Sequence, residues 1–296
     1  MAFKKATKFE SKLRMAISGP AGAGKTMTAL ILATALAGEG GVAVIDTEHG
    51  SASKYADLYE FDVLELDSFH PQRYIDAIHE AEAAGYAVLV IDSLSHAWSG
   101  AGGLLEEKDK IARQKYGGNS FSAWNDASAL QNKLVQAILG SKLHVIATVR
   151  AKMEYLQEKD EKGKSSIRKV GLAPVQRDDL PYEFDVFCSM ELDNTLIVDK
   201  SRCPALSGAI IAKPDANMAE TLKAWLSGAP APAKAPTSKE IYDAGKAAGL
   251  WQNAQGYFAF AATQGIIISA ETHNQMNDAQ RLQLHEAIKA TQEGAA

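Results

Sequence analysis

Residues 19–26 read Gly19-Pro20-Ala21-Gly22-Ala23-Gly24-Lys25-Thr26, and Met27 follows. The spacing is G-x-x-x-x-G-K-T, the pattern of a phosphate-binding loop. Its glycines let backbone N–H groups turn toward one point, where nucleotide phosphates can sit. The loop then opens a helix, whose N-terminus favours negative charge. Lys25 has the reach for the β- and γ-phosphates, and the Thr26 hydroxyl can ligate Mg²⁺. Residues 19–27 are therefore the expected nucleotide contacts.

The flanks supply the context such a loop needs. Leu13-Arg14-Met15-Ala16-Ile17-Ser18 reads as a buried strand entering it. Residues 27–37 are rich in Ala, Leu and Ile, as suits a buried helix leaving it. Further along, 42–46, 61–66, 87–91 and 143–148 are short apolar runs, and 71–84, 104–114 and 121–139 have helical spacing. Strands alternating with helices imply βαβ units and a mostly parallel sheet. Residues 184–191 and 195–198, joined around Asp193-Asn194, read as a hairpin that extends the sheet with antiparallel strands.

The chain has 296 residues, enough for one large domain and a small one. A boundary is expected at Ala229-Pro230-Ala231-Pro232-Ala233-Lys234-Ala235-Pro236, because alternating proline forbids helix and favours an extended linker. The expected division is an α/β domain over 1–228, a linker over 229–237 and a small helical module over 238–296. Thr237 and Glu240 have capping-box spacing, Gly249 suggests a stop, and further helices fit 252–263, 269–276 and 278–290.

A hydrophobic fraction of 46% and a charged fraction of 23% are those of a soluble globular protein, and no apolar run reaches membrane-span length. The basic N-terminus has no apolar segment behind it, which argues against a secretory signal. Cys188 and Cys203 cannot build a disulfide framework or a zinc site, and a reduced, cytoplasmic setting is expected. With a net charge of −5, the chain is no general polyanion binder, so any nucleic-acid contact must come from a local basic patch.

Residues 87–93 form an apolar strand ending in Asp92-Ser93, the form of a Walker B element. Parallel strands deliver their C-terminal ends to the ligand face, where Asp92 can hold Mg²⁺; the alternative is an acid that caps the next helix. Val44-Ile45-Asp46-Thr47-Glu48-His49-Gly50 is a second strand ending in acids. Glu48 is long enough to orient a water for attack on a γ-phosphate, and it equally fits a cap for a turn over 51–55.

Several runs resemble known proteins. Asp46-Thr47-Glu48-His49 is similar to the strand-end acidic motif of RecA-type recombinases, in which the glutamate activates the attacking water. Residues 44–57 (VIDTEHGSASKYAD), 91–98 (IDSLSHAW), 102–106 (GGLLE), 144–155 (HVIATVRAKMEY) and 171–185 (GLAPVQRDDLPYEFD) resemble phage AAA-family ATP-binding proteins related to core-only RecA-like annealing proteins. The resemblance covers about residues 10–228. It implies a RecA-like P-loop NTPase fold, with ATP and Mg²⁺ as ligands and Glu48 as the catalytic glutamate. It places Thr148 where such proteins sense the γ-phosphate, normally with a longer amide side chain. Arg150 and Lys152 follow, with charge for the transition state, for surface ion pairs or for DNA.

The same resemblance implies single-stranded DNA as partner, self-association as a filament or ring, and cooperation with a single-strand DNA-binding protein. Residues 157–169 are polar and aperiodic and read as a loop, with Lys159, Lys162, Lys164, Arg168 and Lys169 as DNA-contacting charges; a solvated hairpin tip is the alternative. A second cationic and aromatic stretch holds Lys108, Lys110, Arg113, Lys115, Tyr116, Phe121 and Trp124, of which Trp124 is expected to pack within the fold. Phe3-Lys4-Lys5-Ala6 has the F-x-x-A form by which some recombinases link subunits. The expected activity is a DNA-stimulated ATPase acting in phage recombination or annealing. The alternatives are an ATP-stabilised annealing protein with negligible hydrolysis and a P-loop small-molecule kinase.

Overall fold

The computed structural model describes residues 11–159, 165–228, 236–276 and 278–293. The Phe3–Ala6 pattern and residues 229–235 of the expected linker lie outside the described residues, as do Lys162 and Lys164. The chain divides into two units, within Met1–Ala231 and Pro232–Ala296.

In the first unit the order is β1 (Arg14–Gly19), α1 (Lys25–Ala37), β2 (Val42–Asp46), β3 (Asp62–Glu65), α2 (Pro71–Ala84), β4 (Val88–Asp92), α3 (Ser95–Ser99), α4 (Leu104–Lys115), α5 (Ser120–Gly140), β5 (His144–Lys159), β6 (Ser165–Pro174), α6 (Leu180–Glu183), β7 (Val186–Met190), β8 (Thr195–Ser201), β9 (Ile210–Ala212) and α7 (Ala216–Ser227). The strands form one sheet in the order β3-β2-β4-β5-β1-β7-β8-β9. From β3 to β7 every neighbouring pair is parallel; β8 and β9 are antiparallel additions. This is the expected α/β architecture of a P-loop NTPase, a mostly parallel sheet lengthened by antiparallel strands.

Both sheet faces are covered, which is why the central strands read as nearly unbroken apolar runs. Side chains alternate between the faces. Met15, Ile17, Val88 and Val90 join Leu30 of α1 and Leu222 of α7 in one cluster. Ala16, Leu89, Ile91 and Val145 join Tyr74 and Ile78 of α2 and Leu134 and Ile138 of α5 in the other.

Of the stretch expected as a loop, residues 157–159 and 165–169 are strand, and residues 160–164 lie outside the described residues. β5 runs on past the sheet to Lys159 and pairs antiparallel with β6, from Ala151↔Pro174 out to Lys159↔Ser165. A two-stranded ribbon satisfies its backbone through cross-strand hydrogen bonds, so it needs no apolar periodicity to form. The turn between Asp193 and Asn194 joins β7 and β8 as expected, with Asn194 at φ 67°.

The second unit contains α8 (Ser238–Ala247), α9 (Ala254–Thr263) and α10 (Asp278–Glu293) around Ile241, Trp251, Tyr257, Leu284 and Ile288. Thr237 and Glu240 form the expected capping box. Residues 269–276 are not the expected helix: only His273–Gln275 makes a 3₁₀ turn. Here the hydroxyls compete with helix hydrogen bonding. Ser269 N–H donates to Thr272 Oγ1 at 2.8 Å and Glu271 N–H to Ser269 Oγ at 3.3 Å. No described helix is long and apolar enough to cross a membrane.

One half-buried histidine gives the fold a pH dependence. His144 Nδ1, at the start of β5, accepts from Leu13 N–H at 3.0 Å, which requires an unprotonated ring nitrogen. Burial lowers its pKa to about 4, and the charges of Lys12, Arg14 and Lys223 push the same way. An unfolded histidine titrates near 6.5, so between about pH 6.5 and 4 the unfolded chain holds more protons and stability falls with pH. We predict that the melting temperature drops on acidification through this window, and that it drops less steeply in His144→Gln. Parallel slopes for parent and variant in thermal denaturation would count against this assignment.

Candidate functional site

The parallel strands bring their C-terminal ends to one edge. β1 ends at Gly19, β2 at Asp46 and β4 at Asp92, while β5 crosses the edge at residues 148–150 with Arg150 paired in register to Gly19. Residues 19–24 bridge β1 to α1. Gly24 lies at φ 85° and precedes α1 with no side-chain cap, so no side chain occupies the first-turn N–H groups. The Lys25 ammonium donates to the Pro20 carbonyl at 2.8 Å. Burial lowers the Lys25 pKa, opposed by Asp92 and Glu48.

The hairpin turn rests on this loop. Asn194 Nδ2 donates to the Ala23 carbonyl at 3.0 Å. A Cβ at residue 24 would lie 2.7 Å from that same nitrogen, so glycine there serves the contact as well as the left-handed backbone.

Asp92 is 2% exposed and ties three elements together. Thr26 Oγ1, at the start of α1, donates to Asp92 Oδ2 at 2.6 Å. Thr148 Oγ1, on β5, donates to Asp92 Oδ1. Burial raises the Asp92 pKa; the two hydroxyls oppose that shift, and Glu48 and Asp46 add to it. Thr148 is thus fully buried and engaged with the carboxylate.

Among the described residues no group of three or more His, Cys, Asp or Glu side chains is placed to hold a metal. The pair Thr26 and Asp92 nonetheless fits Mg²⁺, which takes hard oxygen ligands and usually one or two carboxylates, completing its shell with phosphates and water.

Glu48 is engaged too. Arg150 grips it in a two-point ion pair, Nε to Oε1 at 2.7 Å and Nη2 to Oε2. His96 Nε2 lies 4.0 Å from Oε1. Burial pushes the Glu48 pKa up, but Arg150, His96 and the Ser93 hydroxyl outweigh it and hold the carboxyl below its ordinary range. The turn over Ala52–Tyr55 is served instead by Asp46: Oδ2 accepts from Ala52 N–H at 3.0 Å, and Oδ1 from Glu48 N–H at 2.6 Å. Asp46 therefore takes the capping task, and its second bond fixes the backbone of Glu48. His96 is oriented by Thr47, whose Oγ1 lies 2.8 Å from Nδ1, and by stacking on Phe69 at 4.8 Å.

The remaining candidates are spread out. Lys159 ends β5, and Arg168 and Lys169 lie on β6, in register with Leu156 and Tyr155. Trp124 stacks on Trp98 at 5.9 Å with Lys108 over its ring, the packing role expected of it, whereas Phe121 is 87% exposed. Lys110 and Lys115 pair with Glu107 and Asp126. Asp46, Ser93 and His96 lie inside motifs read from the sequence and Asn194 at the expected hairpin turn, but none of the four is among the expected site residues. The reaches across the fold that bring Asn194 and His96 to the site had no local trace, although His96 lies within the IDSLSHAW run.

The family described as AAA domain matches residues 11–214. No curated protein matches the chain.

The Asn194 contact has a local consequence. Glycine tolerates φ 67°, so Asn194→Gly removes the amide while allowing the same turn. One hydrogen bond is worth about 0.5–1.5 kcal/mol, so amide exchange across residues 20–26 should quicken roughly two- to tenfold. The interior of β1 should be unchanged. Equal exchange of the loop in both proteins, measured by hydrogen–deuterium exchange, would show that the hairpin does not brace it.

Proposed function

The chain belongs to the AAA domain family, and from that premise we propose a Mg²⁺-dependent ATPase of RecA-like type that binds single-stranded DNA and promotes annealing or recombination of phage DNA. ATP binding and hydrolysis is the general property of the family. The substrate strand and its use are the finer reading. The observation that supports the ATPase is convergence: Lys25, Thr26, Glu48, Asp92, Thr148 and Arg150 meet at one sheet edge.

In this reading the backbone of residues 19–24 and Lys25 receive the phosphates, as helix N-termini and ammonium groups do. Thr26 and Asp92 hold Mg²⁺, which when bound neutralises phosphate charge. Thr148 keeps Asp92 turned toward Thr26. Glu48 accepts the proton of the attacking water. Arg150 closes Glu48 until a γ-phosphate, richer in charge than a carboxylate, draws the guanidinium away. Because β5 continues from Arg150 into the ribbon with β6, that movement has a direct route to Lys159, Arg168 and Lys169. Bound nucleotide then sets how the ribbon grips DNA. Self-association into a filament or ring belongs to the same proposal.

A second reading has its own support. The two-point Arg150 pair neutralises and blocks Glu48, as expected of a protein that binds ATP to shape a DNA surface and barely turns it over. Glu48→Gln separates the two: annealing that survives in this variant favours nucleotide as a structural ligand, and annealing that is lost favours turnover.

We predict that the parent chain releases phosphate several-fold faster with single-stranded DNA, and that Lys25→Ala lowers kcat/KM at least about a hundredfold. Steady-state phosphate release checks both. ATPase activity indifferent to DNA, with normal nucleotide binding, would remove the DNA reading and leave the ATPase. Asp92→Asn keeps oxygen and nitrogen near both threonines but loses the charge, so its activity should demand several-fold more Mg²⁺; an unchanged Mg²⁺ titration would take Asp92 out of the metal site.

A further inference from the structure

Ser93 follows Asp92 at the end of β4 and is fully buried, at 0% exposure. Its backbone is fixed from both sides. The N–H donates to Thr47 Oγ1 at 2.8 Å. The carbonyl accepts from Tyr74 Oη at 3.3 Å and lies 3.2 Å from Thr47 Oγ1. Yet the Ser93 hydroxyl has no hydrogen-bond partner in the structure. It lies toward Glu48, near enough to help hold that carboxyl low, without completing a hydrogen bond to it.

A buried hydroxyl without a partner is costly, and native proteins leave few of them. Here the surrounding bonds go to the Ser93 backbone, and Thr47, which takes part in two of them, directly precedes Glu48, the acid placed to handle a water. A water that attacks phosphorus must present a lone pair to it. Both of its O–H bonds must then point elsewhere, and two acceptors hold them better than one. Glu48 supplies the first.

We propose that the Ser93 hydroxyl is the second acceptor, a catalytic residue that orients the attacking water together with Glu48. The proposal rests on the ATPase reading. The water oxygen bonds to the γ-phosphorus, and the bond from that phosphorus to the β–γ bridging oxygen breaks, its electron pair leaving on ADP. One proton of the water passes to Glu48. The other remains on the new phosphate oxygen, hydrogen-bonded to Ser93 Oγ, which itself gains and loses no proton.

Ser93→Ala in the full chain tests this. The hydroxyl has no partner to lose, so the variant should fold and melt at or above the parent temperature. The Kd for a Mg²⁺-bound non-hydrolysable ATP analogue should stay within about twofold, because the phosphates are held elsewhere. The kcat should fall by roughly 10- to 100-fold. A kcat within twofold of the parent would overturn the proposal. So would a fall in kcat that travels with a lower melting temperature, a weaker analogue Kd or failure to fold, since each marks Ser93 as structural. A parent chain that binds the nucleotide but never hydrolyses it overturns the ATPase reading and this proposal together. A parent that hydrolyses ATP alongside an equally active Ser93→Ala overturns this proposal alone.

Discussion

A single buried carboxylate organises the site. Asp92 sits at the end of β4, and β5 lies between it and β1, so the phosphate loop is two strands away, about 10 Å at the usual strand spacing. Thr26 closes that gap from the first turn of α1, and Thr148 fills the intervening strand. The two hydroxyls give both carboxylate oxygens a partner, which a buried acid requires. They also fix the position of the loop relative to the strand ends. Burial and the neighbouring Asp46 and Glu48 raise the Asp92 pKa, so the structure favours a cation beside it.

Glu48 and Arg150 are the second half of the arrangement. One comes from the loop after β2 and the other from β5, and they meet over a sequence separation of 102 residues. The Arg150 side chain is about half exposed and the Glu48 side chain about one-fifth exposed, so the pair stands at the mouth of the site and can be broken by a competing anion at moderate cost. Arg150 also stands where the core strand becomes the ribbon. Its N–H donates to Ser95 Oγ at 2.8 Å, which holds the junction against the helix that follows β4. One residue thus touches the acid, the loop edge and the base of the projecting arm.

Much of this was legible in the sequence because it is local. The loop at residues 19–26, the apolar strands buried on both faces, and the Thr237–Glu240 capping box each carry their reason within a few residues. What was not legible depends on distant partners, or on which of several nearby groups takes a hydrogen bond. The outer part of the ribbon, 157–159 and 165–169, is rich in polar residues, and its strand state comes from the pairing of β5 with β6. The short helix expected at 269–276 lost to hydroxyl–backbone bonds that compete at the same positions. Asp46 rather than Glu48 caps the turn after β2, a choice made by two backbone N–H groups that no spacing rule separates. Asn194 reaches Ala23 across 171 residues of chain, and Ser93 is marked only by what its hydroxyl fails to touch.

The most direct measurement is a crystal structure with Mg²⁺ and a non-hydrolysable ATP analogue. It should show the triphosphate along residues 19–26, the metal on Thr26 and near Asp92, and Arg150 drawn from Glu48 toward the γ-phosphate. Nucleotide bound at another surface, or bound at the loop with the Glu48–Arg150 pair and the Lys25–Pro20 contact both intact, would contradict it.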